Sequence, residues 1–285
     1  MKKGAIISLI IAIIFIILGA IAVATAFSMG AASHLRDEYH NETANVKDLK
    51  YEEYKNVDSI SFEISAGDYE ISQGEAFSIR YPEYEGSDFE TFVDADGMWH
   101  ISGAVYSKKS IFNFIPLFGW HKNNKVYITI PADAEFSSVN VKLNAGNVEW
   151  QGLSGNGCII EINAGNFEIT DIDLHKGLEL KCAAGNLTLN NCHAGNLDVK
   201  LDAGNAELNG EIDGDINVKS NMGNVELNLR GNLDDYNYKI EGSLGNIELN
   251  GKEYSGLSKE VTVDNGADKN LVLKGNLGNI DVEIR

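Results

Sequence analysis

From Val139 onward the chain alternates apolar and polar residues in short bursts that break at a recurring Gly-Asn pair. VKLNAGNVEW, EINAGNFEI, KCAAGNLTL, KLDAGNAEL, SNMGNVEL, SLGNIEL and NLGNIDV share one frame. After each pair, apolar residues stand two apart: Val148 and Trp150, Phe167 and Ile169, Leu187 and Leu189, Ala206 and Leu208, Val225 and Leu227, Ile247 and Leu249, Ile280 and Val282. A period of two places both members on one face of a strand. Gly146, Gly165, Gly185, Gly204, Gly223 and Gly245 recur at steps of 19 to 22 residues, and Gly278 follows after a longer gap that implies an inserted loop or a degenerate repeat around 252–270. A unit this short cannot bury its own apolar face. Repeats of that kind stack, and strands in each unit predict an all-β fold, a β-solenoid of about 19–20-residue coils.

The Gly-Asn pair is expected to serve the turn. Glycine supplies the positive φ of a type II turn, and the asparagines bond to backbone groups that the turn leaves unpaired. Stacked at strand spacing, Asn147, Asn166, Asn186, Asn205, Asn224 and Asn246 then form a hydrogen-bonded amide column. Gly278 and Asn279 are read as a further turn of the same kind. Upstream, ISFEISAGDYEI (Ile60 to Ile71) shows the same alternation around Ala66-Gly67-Asp68. The expected organisation is an N-terminal β region over 58–138 and the Gly-Asn repeat over 139–285.

The outward positions carry charge. Glu149, Glu168, Glu207, Glu226, Glu248 and Asp281 fall three residues after the glycine, and Lys142, Lys181, Lys200, Lys219 and Lys274 fall four before it. Like charges stacked at strand spacing repel, so the carboxylates must relax through solvent, lysines or cations. The plain reading is a solvated face that deters edge pairing. Calcium-binding nonapeptide repeats need aspartate in the turn, where this chain has asparagine.

At the N-terminus, Lys2 and Lys3 precede a run without charge that lasts to Arg36. Residues 5–27 are long enough to cross a bilayer, and the positive-inside rule leaves 1–4 in the cytoplasm and the rest outside. This predicts a single-pass signal anchor in the cell membrane, with a cleaved signal peptide as the alternative. A polar tether over 28–57 follows. The whole chain carries a formal net charge of −19, which disfavours nucleic acid as a partner.

One stretch reverses the sign. Between Ser107 and Lys125, Lys108, Lys109, Lys122 and Lys125 bracket Phe112, Phe114, Phe118 and Trp120. It reads either as a flap closing the end of the stack or as an interfacial loop, lysines meeting anionic lipid or wall polymer while the aromatic rings enter the headgroup region.

Catalytic chemistry is not indicated. Cys158, Cys182 and Cys192 occupy core or repeat positions, and the histidines lack metal-ligand spacing. No G-x-S-x-G elbow occurs, and a carboxylate repeated in nearly every unit is a structural period rather than one tuned acid. No cofactor, metal or catalytic residue is assigned, and the protein is expected not to be an enzyme. A wall-carbohydrate-active enzyme is the weakest alternative.

The anchor, the opening SISFEISAGDYEI, the aromatic insertion, VYITIPADAEFSSVNVKLNAGNVEW and the later Gly-Asn units together resemble the bacterial "putative adhesin" domain of unknown function, over Asp58 to Arg285. The resemblance implies a β-solenoid ectodomain displayed at the cell surface, often encoded near envelope-stress genes of Gram-positive bacteria. It implies no catalytic residues. The expected function is a non-enzymatic, membrane-anchored surface protein binding a cell-wall polymer or surface protein. An envelope-stress accessory or sensor working with a membrane partner is the alternative.

Overall fold

The computed structural model describes residues 49–83, 87–105, 125–254 and 259–285. Residues 1–4, the anchor 5–27, the tether up to 48 and all of the aromatic stretch except Lys125 lie outside them. Among the described residues no helix is long and apolar enough to cross a membrane. The remainder of the expected tether contains a strand: β1 (Leu49–Tyr54) pairs antiparallel with β4 (Phe77–Pro82). Its apolar-polar alternation is weak, which is why the segment reads as linker in the sequence.

The described fold is all-β, with one 3-10 turn at Leu233–Asp235. Its central ladder is parallel and in register. β8 (Ser138–Leu143) pairs with the second repeat inside β9 (Asn147–Ala194), β9 pairs with β10 (Leu197–Ile212), and β10 pairs with β11 (Ile216–Arg230). Glycine meets glycine and asparagine meets asparagine: Gly204 aligns with Gly185 and Gly223, Asn205 with Asn186 and Asn224. The apolar pairs after each Gly-Asn all point inward, none more than 5% exposed. The three cysteines are free and buried in the same core, where burial pushes the Cys192 thiol up to about 12.

β2 (Ser59–Ala66) and β3 (Asp68–Gly74) pair parallel with β8 and β9, so the N-terminal β region and the Gly-Asn repeat share one sheet. On their other side lie β6 (Met98–Ala104) and β7 (Lys125–Pro131), also parallel. β6 ends and β7 begins at the position where the inner layers have their corner, Ala104 beside Ala66 and Lys125 beside Asp68. That layer is covered by antiparallel strands, β5 (Glu90–Val93) on β6 and β4 on β7.

The far end repeats this plan. β16 (Lys269–Gly275) and β17 (Asn279–Ile284) stack on β11, and β12 (Tyr236–Gly242) and β13 (Asn246–Leu249) stack outside them. The Gly278 repeat thus lies between the Gly223 and Gly245 repeats, and the long gap in the sequence is the path of that return. β15 (Lys259–Val263) pairs antiparallel with β12, and β14 (Lys252–Glu253) pairs antiparallel with β13. The β13–β14 connection is Asn250-Gly251 with φ of 47° and 75°, the positive pair that a tight hairpin requires. Antiparallel cover at both ends removes the open parallel edges that invite association.

The corner glycines are not in type II turns. Gly146, Gly165, Gly185 and Gly204 have φ between 115° and 149°, away from the roughly +80° of that turn, and Gly223, Gly245 and Gly278 are not in the positive region. What they share is proximity: a Cβ on Gly165 would stand 1.9 Å from the Gly146 carbonyl oxygen, and one on Gly278 would stand 1.7 Å from that of Gly223. Stacking, rather than turn type, demands glycine. Gly165→Ala should cost about 3 kcal/mol or more in chemical unfolding, the range of strain plus overpacking. Gly266→Ala provides the contrast, because φ is 68° but nothing lies within 4 Å of the added Cβ; it should cost only about 1–2 kcal/mol. Equal losses would show that close approach is not the constraint.

Candidate functional site

The asparagines bond to one another rather than to their own turns. Asn147 donates through Nδ2 to Asp68 Oδ1 at 2.7 Å, Asn166 to Asn147 at 2.7 Å, Asn186 to Asn166 at 2.8 Å and Asn205 to Asn186 at 2.8 Å. Asn224 continues to Asn205 and Asn279 to Asn224, each at 3.0 Å. From Asn147 to Asn224 each amide gives one N–H to the layer before and accepts one from the layer after, so the column is directional. Asp68, an acceptor only, closes its first end. Asn246 aligns with Asn279, but its buried Oδ1 has no partner. The expected column runs from Asn147 to Asn224 and on to Asn279, with Gly278-Asn279 inserted before Gly245-Asn246, and it does not extend to Asn246 among the described residues.

The carboxylate column is interrupted. In register it begins Glu70, Glu149, and later runs Thr188, Glu207, Glu226, Asp281, Glu248. Lys125 relieves its first end: it is the opening residue of β7, with Nζ 2.9 Å from Glu70 and 3.6 Å from Glu149. The hydrogen bond to Glu70 raises its pKa. Thus Lys125, expected in an interface loop, pairs with the acidic column; Lys108, Lys109, Phe112, Phe114, Phe118, Trp120 and Lys122 lie outside the described residues. Asn209 and Asn228 donate to Glu207 and Glu226 at 3.0 and 3.1 Å. Asp281 lies between Glu226 and Glu248, and its carboxyl is raised by burial and then by Glu226 and Glu283.

The lysine column is neutralised differently. Lys181, Lys200, Lys219 and Lys274 are consecutive in register, followed by Glu241. Lys181 pairs with Glu161 and Glu179 at 2.9 Å, Lys200 lies 3.7 Å from Glu179 and 3.5 Å from Asp198, and Lys274 pairs with Glu241 at 2.9 Å. The hydrogen bond from Lys181 lowers the Glu161 pKa, and those from Lys239 and then Lys274 lower that of Glu241. Lys219 has no carboxylate partner among the described residues. Asn217 stands where the preceding layers carry Asp198 and Glu179, and its amide is already given to Asp198 at 2.9 Å. A cavity of about 380 Å³ opens beside Lys219 and Lys274.

A longer groove, about 640 Å³, crosses the stack from the Asn140 layer to the Asn217 layer. Glycines 157 and 177 form part of its lining, between side-chain rows on either side.

His193 is a site that motif reasoning missed. Its Nδ1 lies 2.9 Å from Asp173 and its Nε2 3.0 Å from Asp213, bridging three successive repeats. Both ring nitrogens donate only in the imidazolium, and hydrogen bonds to Asp173 and then Asp213 raise its pKa. Asp173, His193 and Asp213 are 20 residues apart in the sequence. That spacing is the repeat itself, and would have revealed the bridge had histidine been read in the repeat frame. Among the described residues no cluster of three His, Cys, Asp or Glu side chains is placed to hold a metal.

The model of the Toastrack DUF4097 family matches residues 57–283. The chain belongs to this family. The expected family, a domain of unknown function with adhesin-like relatives, and its expected extent from Asp58 are thereby met. No curated protein matches the chain. Among solved structures, a "putative cell adhesion protein" from Clostridium sporogenes ATCC 15579 is 13% identical, covering 83% of this chain and 99% of its own, with a TM-score of 0.33. A "putative adhesin" from Parabacteroides distasonis ATCC 8503 is 10% identical over 82% of this chain and 96% of its own, with a TM-score of 0.38. A "putative lipid binding protein" from the same organism is 15% identical over 83% and 97%, with a TM-score of 0.31.

Two titrations test the electrostatics of this Toastrack domain. The raised folded pKa of His193 means that its bridge stabilises fully below the unfolded value of about 6.5 and is lost as pH rises through the folded value. His193→Gln should therefore lower the melting temperature more at pH 6 than at pH 9, and an equal loss at both would exclude an imidazolium bridge. Asp281 has the opposite sense: ionisation above its raised folded pKa costs stability. Asp281→Asn should raise the melting temperature at pH 7, with the gain shrinking as the pH falls through the carboxylate range.

Proposed function

We propose that this Toastrack protein is a non-enzymatic surface protein, held in the cell membrane by residues 5–27 with 1–4 in the cytoplasm, whose extracytoplasmic stack is a β-solenoid that binds an extended wall polymer or a surface protein along its flank. The lysine-first apolar run supports the anchor and its orientation. Parallel in-register pairing at the repeat spacing supports the solenoid.

The observation that carries the binding reading is the registration of outward side chains. Layer upon layer presents the same group at strand spacing, and the long groove runs across these layers rather than into a closed pocket. Such a surface meets an extended partner at many weak, equivalent points. Catalysis by an acid and a base needs two groups whose environments push their pKa values apart. The carboxylate column instead presents the same chemical group at the repeat spacing, relieved by Lys125 at one end and by Asn209 and Asn228 further along, which favours binding over chemistry.

The full-length protein in detergent, immobilised and exposed to cell-wall fractions and surface-protein extracts, should retain one of them above an acidic protein of matched charge. Retention no greater than that control would remove the reading.

A further inference from the structure

The binding reading leaves the ligand open; the inference that follows rests on it and concerns the groove from the Asn140 layer to the Asn217 layer. We propose that this groove binds a neutral, linear, polyhydroxylated chain, a glycan lying across the strands.

The backbone around the groove is already committed. β8 is paired on one side by β2 and on the other by β9, and β10 lies between β9 and β11. A peptide cannot add a strand there, so main-chain pairing, the usual source of affinity for an extended peptide, is not on offer. Recognition falls to side chains, one outward position per layer along each row (Asn140, Ile159, Glu179, Asp198 and Asn217 on one side of the groove), which suits a polymer with hydrogen-bonding groups along its whole length.

Those side chains have capacity to spare. The amides of Asn140 and Asn156 make no hydrogen bond among the described residues, and both line the groove. Each offers two N–H donors and a carbonyl acceptor, which matches hydroxyl groups that donate and accept in turn. In the same row as Asn140, one layer on, Ile159 is 38% exposed and presents an apolar surface to the C–H face of a sugar ring. Glycines 157 and 177 keep the floor low; a Cβ on Gly157 would come within 3.3 Å of the Gly177 carbonyl oxygen.

Charge selects against anionic polymers. Glu179, Asp198 and Asp215 line the groove with Lys176 as the cation in the lining, and Asp215 has no cationic partner among the described residues. Glu179 is held by Lys181, Asp198 by Asn217 and Lys200, and Asp215 by the Asn270 backbone, so these carboxylates are fixed in place rather than free to swing away. A polyphosphate or polyuronate laid along the groove meets like charge, in a protein whose net charge is already −19.

The test uses the full-length protein in detergent, titrated by calorimetry with the linear hexamer of N-acetylglucosamine, with cellohexaose and with poly(glycerol phosphate). A neutral hexamer should bind, and poly(glycerol phosphate) should not compete. Asn140→Ala with Asn156→Ala, at positions without partners to lose, should weaken binding about tenfold while leaving the melting temperature unchanged. Ile159→Arg, which places a long side chain in the trough, should abolish it; Glu168→Gln, in the carboxylate column, should leave it intact. Failure of both neutral hexamers to bind overturns the inference, as does preference for the polyphosphate or unchanged affinity in the double Asn variant and Ile159→Arg. If the wild type still retains a wall or surface-protein fraction, the glycan inference alone falls. If that retention is also absent, the broader binding reading falls with it.

Discussion

The stack depends on an approach so close at one corner that no side chain fits. At each corner the glycine of one layer lies against the carbonyl of the glycine before it, from Gly67 through Gly146 to Gly245. A slip of one residue would put a Cβ into that contact and turn the apolar pairs outward, so the corner fixes register for every strand that leaves it. The columns follow from this: asparagine over asparagine, carboxylate over carboxylate, lysine over lysine.

In-register stacking also concentrates like charges, and different parts of the stack handle this differently. Asparagines turn repetition to advantage, because an amide donates to one copy of itself and accepts from the next. Carboxylates and lysines cannot do so. The lysine column borrows carboxylates from the neighbouring column, at Glu179 and Asp198, and the acidic column is relieved by Lys125 at its first end and broken by Thr188. Where borrowing stops, at Asn217, Lys219 is left without a partner among the described residues. Uneven compensation along an even scaffold is what distinguishes one part of the flank from another.

Much of this was legible in the sequence because the governing patterns are local. Val148 with Trp150 and its counterparts needed only a period of two, and the Asn column needed only the repeat length. Three things were not local. The role of Gly146 lay in the layer beneath it, not in its own turn, so the glycine was foreseen and its reason was not. The place of Gly278 depended on which layers are neighbours, and the sequence orders repeats by synthesis rather than by stacking. His193 looked solitary because its carboxylates lie one repeat away on each side. The groove escaped notice for a related reason: Asn140, Asn156 and Ile159 are unremarkable alone and acquire meaning only when glycines 157 and 177 sink the surface between their rows.

The return of β16 and β17 to a place between β11 and the β12–β13 layer bears on how the chain is made. A ribosome releases the Gly245 repeat before the residues on which it must rest. Until β16 and then β17 emerge, that outer layer has no parallel neighbour, only its antiparallel cover in β15 and β14. The inner repeats from Gly146 to Gly223 can settle one upon another as they appear, but the far end closes only when β16 and β17 follow. Closure of the far end is thereby tied to the arrival of β16 and β17, and a chain cut before Asn279 would keep β16 between β11 and β12 but leave β13 without its parallel neighbour.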